Sequence, residues 1–153
     1  MKGDDKMKHK TARVLALALA LSSLFSLAAY AASPNPDSIQ SSYYIDSYTA
    51  YVYSPGDYEA QVWFHIMACR ESDEVGALTI FLQQSDDCVN TTPVKTFHHY
   101  DYPNMIKENT VINISHVSET VEHGHYYRAC LTLYVANNGG SDSRFYVTDW
   151  VYI

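Results

Sequence analysis

Beyond about residue 43, apolar and polar residues alternate with a period of two, the repeat of a strand with one buried face. Val62, Phe64, Ile66 and Ala68 alternate with Trp63, His65 and Met67, which predicts a strand over 59–69. Leu78, Ile80 and Leu82 alternate with Thr79, Phe81 and Gln83 in the next. The charged stretch Arg70-Glu71-Ser72-Asp73-Glu74-Val75-Gly76 between them reads as a connecting loop that ends at Gly76. Ser85-Asp86-Asp87-Cys88 reads as a second turn. Further strands are predicted over 43–53, 89–97, 109–117, 126–135 and 143–151. Tyr127, Ala129, Leu131, Leu133 and Val135 share one face of the strand over 126–135, and Asn137-Asn138-Gly139-Gly140 after it is a strong hairpin turn.

Seven short strands, with turn signals at short intervals and no helix, predict an all-β domain, an antiparallel seven-stranded β-sandwich. An open barrel is the alternative. Composition agrees, because 14 tyrosines accompany frequent Thr and Val, and such side chains pack well on a pleated surface.

The N-terminus follows a different pattern. A basic head, Met1 to Arg13, precedes an uncharged apolar run from Val14 to Leu27 and then the small-x-small triplet Ala29-Tyr30-Ala31. That order predicts a signal-peptide helix over 1–31, cut after Ala31, and hence a secreted, extracellular product. A membrane anchor is the competing reading. The run is interrupted by Ser22, Ser23 and Ser26 and closed by Pro34 and Pro36, so no stable membrane insertion is expected after cleavage. Residues 32–42 read as a flexible leader and 43–153 as the β domain.

Charge then narrows the partners. The chain has 10 Lys and Arg against 17 Asp and Glu, a formal net charge of −7. Cleavage would remove five of the bases and two of the acids, leaving a formal charge of −10. Nucleic acid needs a basic footprint and is excluded as a partner. Anionic membrane surfaces are disfavoured for the same reason.

Two local resemblances follow. The run Tyr127-Arg128-Ala129-Cys130-Leu131-Thr132-Leu133-Tyr134-Val135-Ala136-Asn137 resembles strand F and the F–G loop of fibronectin type III domains. The resemblance implies a tyrosine-corner role for Tyr127, its hydroxyl bonding back to the E–F connection. A wider set is Asp73-Glu74-Val75-Gly76-Ala77, Leu82-Gln83-Gln84-Ser85, Val94-Lys95-Thr96-Phe97, Tyr102-Pro103-Asn104-Met105 and Gly140-Ser141-Asp142-Ser143-Arg144. It is similar to a family of small secreted Gram-positive proteins catalogued as a domain of unknown function. That likeness implies export and the fold, and it assigns no catalytic residue.

Candidate chemistry is sparse. Cys69, Cys88 and Cys130 leave one thiol over whatever the pairing, and Cys88–Cys130 is the better placed bridge. Three unpaired thiols are the favoured reading, and that bridge is the alternative. His123 and His125, and the adjacent His98 and His99, are the close histidine pairs, but the further ligands that zinc requires are missing, so no metal and no cofactor is predicted. The acidic runs at 71–74 and 86–87 lack calcium-loop spacing and read as solvated turns. No catalytic constellation is recognisable, and the chain is not read as an enzyme.

The aromatic residues carry the strongest functional signal. If Val62, Phe64 and Ile66 face the core, Trp63 and His65 face outward, and Tyr51 and Tyr53 on the neighbouring strand share that face. Phe81 and Tyr134 project from the other sheet. An exposed aromatic cluster marks a ligand or partner surface. The expected function is therefore a non-catalytic binding or adhesion module for an extracellular protein or glycan. A small secreted enzyme or metal-dependent effector, or an inhibitor-like or toxin-like protein, is the alternative.

Overall fold

The computed structural model describes Tyr43–Ile153 apart from Asp57; the expected signal peptide and leader lie outside the described residues. The described chain is an antiparallel, curled sheet of seven strands. They are β1 (Ile45–Tyr53), β2 (Glu59–Ser85), β3 (Thr92–His98), β4 (Ile106–Thr120), β5 (Tyr126–Asn137), β6 (Gly140–Val147) and β7 (Val151–Tyr152). A single 3-10 turn, Pro103–Met105, precedes β4.

The number matches the sequence expectation, but the division of the chain does not. Residues 70–76 are not a loop: β2 runs through them for 27 residues. At about 3.3 Å per residue a straight strand of that length would exceed the width of so small a domain, so β2 has to bend. Its register with β4 shifts between Met67 and Ser72, where Met67 faces Ile112 but Ser72 faces Thr110. The extra residues form a bulge, which bends a strand and increases its twist. The first half of β2 pairs with β1 and the second half with β3 and β5, while β4 runs along the first half and on past the bend to pair with residues 72–76. At the other end of the chain, the single strand expected over 143–151 is divided into β6 and β7 around Thr148 to Trp150.

The inward residues of both halves close one core. Val62, Phe64 and Ile66 from the first half of β2 meet Ile80 and Leu82 from the second, together with Phe97, Tyr127, Leu131, Leu133 and Val135. Two amides fasten the bend. The Asn113 side chain, buried on β4, donates to the carbonyls of Val75 (3.0 Å) and Met105 (3.1 Å). Asn104 donates to Ser115 Oγ (2.9 Å) and to the carbonyl of His116 (2.8 Å). Gly76 sits against this junction, where an added Cβ would lie 1.9 Å from the Met105 carbonyl oxygen. It is a close-approach residue inside a strand, and not the end of a loop.

Candidate functional site

The inward turn of Asn113 has a consequence on the opposite side of β4. Side chains alternate across a strand, so with Asn113, Ser115 and Val117 buried, Ile112, Ile114 and His116 face out. Polar residues lie inside and isoleucines outside, the reverse of what hydrophobicity alone would choose. The amide bonds to the bend set that phase.

The register places this face of β4 beside the outward face of β2 and β1. Tyr53, Gln61 and Ser118 form one row, and Tyr51, Trp63 and His116 the next. Thr49, His65 and Ile114 follow, and then Ser47, Met67 and Ile112. The structure thus brings together all four predicted binding residues, Tyr51, Tyr53, Trp63 and His65. Tyr51 and Trp63 stack with centroids 4.9 Å apart at 25°. Tyr53 lies 5.8 Å from Tyr51, and His65 lies 6.3 Å from Trp63. Gln61 links the strands, accepting from the Tyr53 hydroxyl and donating to Ser118 Oγ (3.2 Å). Tyr51 is 46% exposed and Ile114 49%.

None of the twelve positions in these rows is Asp, Glu, Lys or Arg. In a chain of net charge −7 this is a conspicuously uncharged surface, with two imidazoles as its ionisable side chains besides the tyrosine phenols. Sequence reasoning missed Ile112, Ile114 and His116 as members of the face. The alternation of Ile and Asn or Ser along β4 was visible, but hydrophobicity would have turned the isoleucines inward.

The other candidate groups are dispersed. Phe81 is exposed and Tyr134 half-buried on the second half of the sheet. All three cysteines are free thiols, and the candidate Cys88–Cys130 bridge is not formed. Tyr126 pairs with Ser85, which puts Cys130 four residues up β5 from the strand end, while Cys88 lies beyond that end in the turn. Four residues of strand span roughly 13 Å, against the Cα separation of about 7 Å at most that a disulfide tolerates. Cys130 is buried and its Sγ lies 3.7 Å from Gln83 Oε1. Burial pushes its pKa up, opposed by the nearby Arg128.

His125 contacts Asp86 through Nδ1, and its Nε2 lies 3.6 Å from Glu122. His123 lies between the rings of Tyr58 and Tyr152. Among the described residues no group of three His, Cys, Asp or Glu side chains converges to hold a metal ion. The acidic residues at 71–74 belong to β2. Asp87 organises the turn after β2, accepting from the backbone amides of Asn90 (2.7 Å) and Val89 (2.9 Å) and from the Asn90 and Ser85 side chains. These bonds, the backbone amides foremost, hold its carboxyl far below the usual carboxylate range. Gly139 and Gly140 lie at the β5–β6 hairpin, where Gly140 has φ 141° and an added Cβ would sit 3.1 Å from the Tyr44 hydroxyl.

The Tyr127 ring is fully buried, and its hydroxyl donates to the Glu122 carbonyl (2.6 Å) in the β4–β5 connection. Comparison of the chain with protein-family models, with curated proteins and with solved structures finds no match.

Proposed function

We propose that the chain is a secreted, non-catalytic binding or adhesion module that takes an extracellular protein or glycan on the outward face of β1, β2 and β4. One observation carries the reading: aromatic and aliphatic side chains from three strands meet on a single uncharged, solvent-facing surface of an acidic protein. A solvated sheet face is ordinarily polar, and contiguous exposed apolar surface commonly marks a binding site.

The scaffold we infer is a fibronectin type III/immunoglobulin-like sandwich. The placement of β1 along the first half of β2, with β3 and β5 along the second half and β6 beyond β5, supports it. So does the Tyr127 hydroxyl bond to the β4–β5 connection, the contact that a tyrosine corner makes. Export rests on the N-terminal pattern of basic head, apolar run and Ala29-Tyr30-Ala31.

The test is a binding screen of the labelled protein against glycans, peptidoglycan fragments and extracellular matrix proteins, with Trp63→Ala alongside. A selective hit that the substitution removes is expected. Binding that is indifferent to Trp63, or none across the array, would overturn the assignment to this face. Recovery of signal-processed protein from the culture medium tests export separately.

A further inference from the structure

Five strands pair with a single neighbour among the described residues, β1, β3, β4, β6 and β7, and so carry an unpaired edge. An unpaired edge invites another strand, and proteins blunt it with bulges, prolines, charges or irregular backbone. Four of the five are blunted, β7 by being only two residues long. β1 has a bulge between Ile45 and Ser47. β3 contains Pro93 and Lys95, opposite a register shift between Leu82 and Gln83. β4 contains Lys107, Glu108 and, at Asn109, a positive φ of 49°. β6 differs: it pairs with β5 over its whole length without a register shift and contains no proline, and its two charges, Asp142 and Arg144, are of opposite sign and paired with each other.

We propose that β6 is a strand-addition edge, and that its occupant is β6 of a second copy of this chain, paired antiparallel about Ser143. This interface is separate from the β1–β2–β4 face and does not depend on its function.

The hydrogen-bond phase of β6 permits this pairing. Asn137 and Gly140 close a two-residue hairpin, which makes them a hydrogen-bonded pair. Such pairs recur at every second residue, so Asp142, Arg144 and Tyr146 direct their backbone groups toward β5. The bond from the Thr148 amide to the Ala129 carbonyl (2.9 Å) continues the same phase. Ser141, Ser143, Phe145 and Val147 therefore direct theirs to the open edge. Two copies of β6 can then bond only in registers that oppose odd-numbered residues to odd-numbered residues.

Charge chooses among those registers. Pairing about Ser143 sets Asp142 directly opposite the partner's Arg144, and Arg144 opposite the partner's Asp142. These are non-hydrogen-bonded positions, where side chains approach most closely. Pairing about Phe145 would set Asp142 against the partner's Thr148, and pairing about Ser141 would set it against the partner's Gly140. Arg144 already lies 3.0 Å from Asp142 of its own chain, so in the dimer each guanidinium lies between two carboxylates. Most contacts between two copies of a chain of net charge −7 bring like charges together. Along β6 the single acid and single base are symmetric about Ser143, and the pairing matches opposite signs.

Sedimentation of the full chain over a concentration series, with variants of the half-buried Asp142 and Arg144 and of the exposed Ser141 and Ser143, tests the proposal. The wild type should sediment as a dimer at the high end of the series. Arg144→Asp should shift it to monomer, and the double variant Asp142→Arg/Arg144→Asp should restore the dimer. Ser143→Cys, under mild oxidation, should give a cross-linked dimer, because a residue opposite its own copy has a Cα separation of about 5.5 Å, within disulfide range. Ser141→Cys, opposite Phe145, should cross-link no more than the wild type does through its own thiols. A monomer at every concentration with no Ser143→Cys product would overturn the proposal. So would a dimer that ignores both the charge variants and the cysteine position.

Discussion

Tyr127 and Cys130 stand three residues apart on β5 and point to opposite sides of it, and each carries a prediction at the scale of a single group. The Tyr127 ring fills the core while its hydroxyl reaches the Glu122 carbonyl. Replacing it by Phe keeps the ring and removes the bond, at a cost of about 1–2 kcal/mol in a urea titration. Burial, and then the charge of Glu122, raise its pKa above the ordinary phenol value of 10.0. A raised folded-state pKa favours the neutral form, so the stability linked to this group is complete below the ordinary value and is lost as pH rises through the folded one. The wild type should weaken in alkali above about pH 10, and Tyr127→Phe should show a shallower decline. An identical decline in both would contradict the burial of this hydroxyl. At Cys130, burial raises the thiol pKa and lowers the thiolate population that reacts. Peptide mapping after limited alkylation should find the exposed Cys69 labelled first and Cys130 last.

At the scale of elements, the alternation along β5 and within each half of β2 was legible because each has a largely apolar inward face, and a one-residue slip would expose it. The Asn137–Gly140 hairpin was equally plain, since few sequences fit so tight a turn. The continuity of β2 was not. Glu71, Asp73 and Glu74 read as loop residues because nothing local distinguishes a solvated turn from a bend shared by two halves of a sheet. The phase of β4 was hidden for a similar reason. Its isoleucines outweigh its asparagine in any hydrophobic count, yet Asn113 binds two carbonyls across the bend that no sequence window contains. Gly76 looked like a loop terminus, whereas its role is the absence of a side chain against the Met105 carbonyl. Gly76→Ala should therefore cost more than an ordinary overpacking substitution, which is about 1–3 kcal/mol, because the obstacle is backbone. Near-wild-type stability in a urea titration would show that β2 and the 3-10 turn are less closely packed than described.

At the scale of the whole molecule, one long bent strand joins both halves of the sheet, and the amides that hold its bend also expose the isoleucines of β4. The four aromatic and imidazole residues picked out from sequence meet on that face, because the period of two carries from β2 to its neighbour. What remained illegible was the third strand, whose side chains widen an aromatic cluster into a surface. The central claim is that this surface is for binding and not for stability. The most direct measurement compares Trp63→Ala with Phe64→Ala, its neighbour on the other face, for thermal stability and for binding to the ligand found by the screen. Phe64, fully buried, should cost about 3–5 kcal/mol. Trp63 should lose binding at a stability cost near the roughly 0.5–1.5 kcal/mol of one aromatic stack. Equal losses of stability, with the residual folded Trp63→Ala protein still binding, would show that the ring serves the fold and that the ligand surface lies elsewhere.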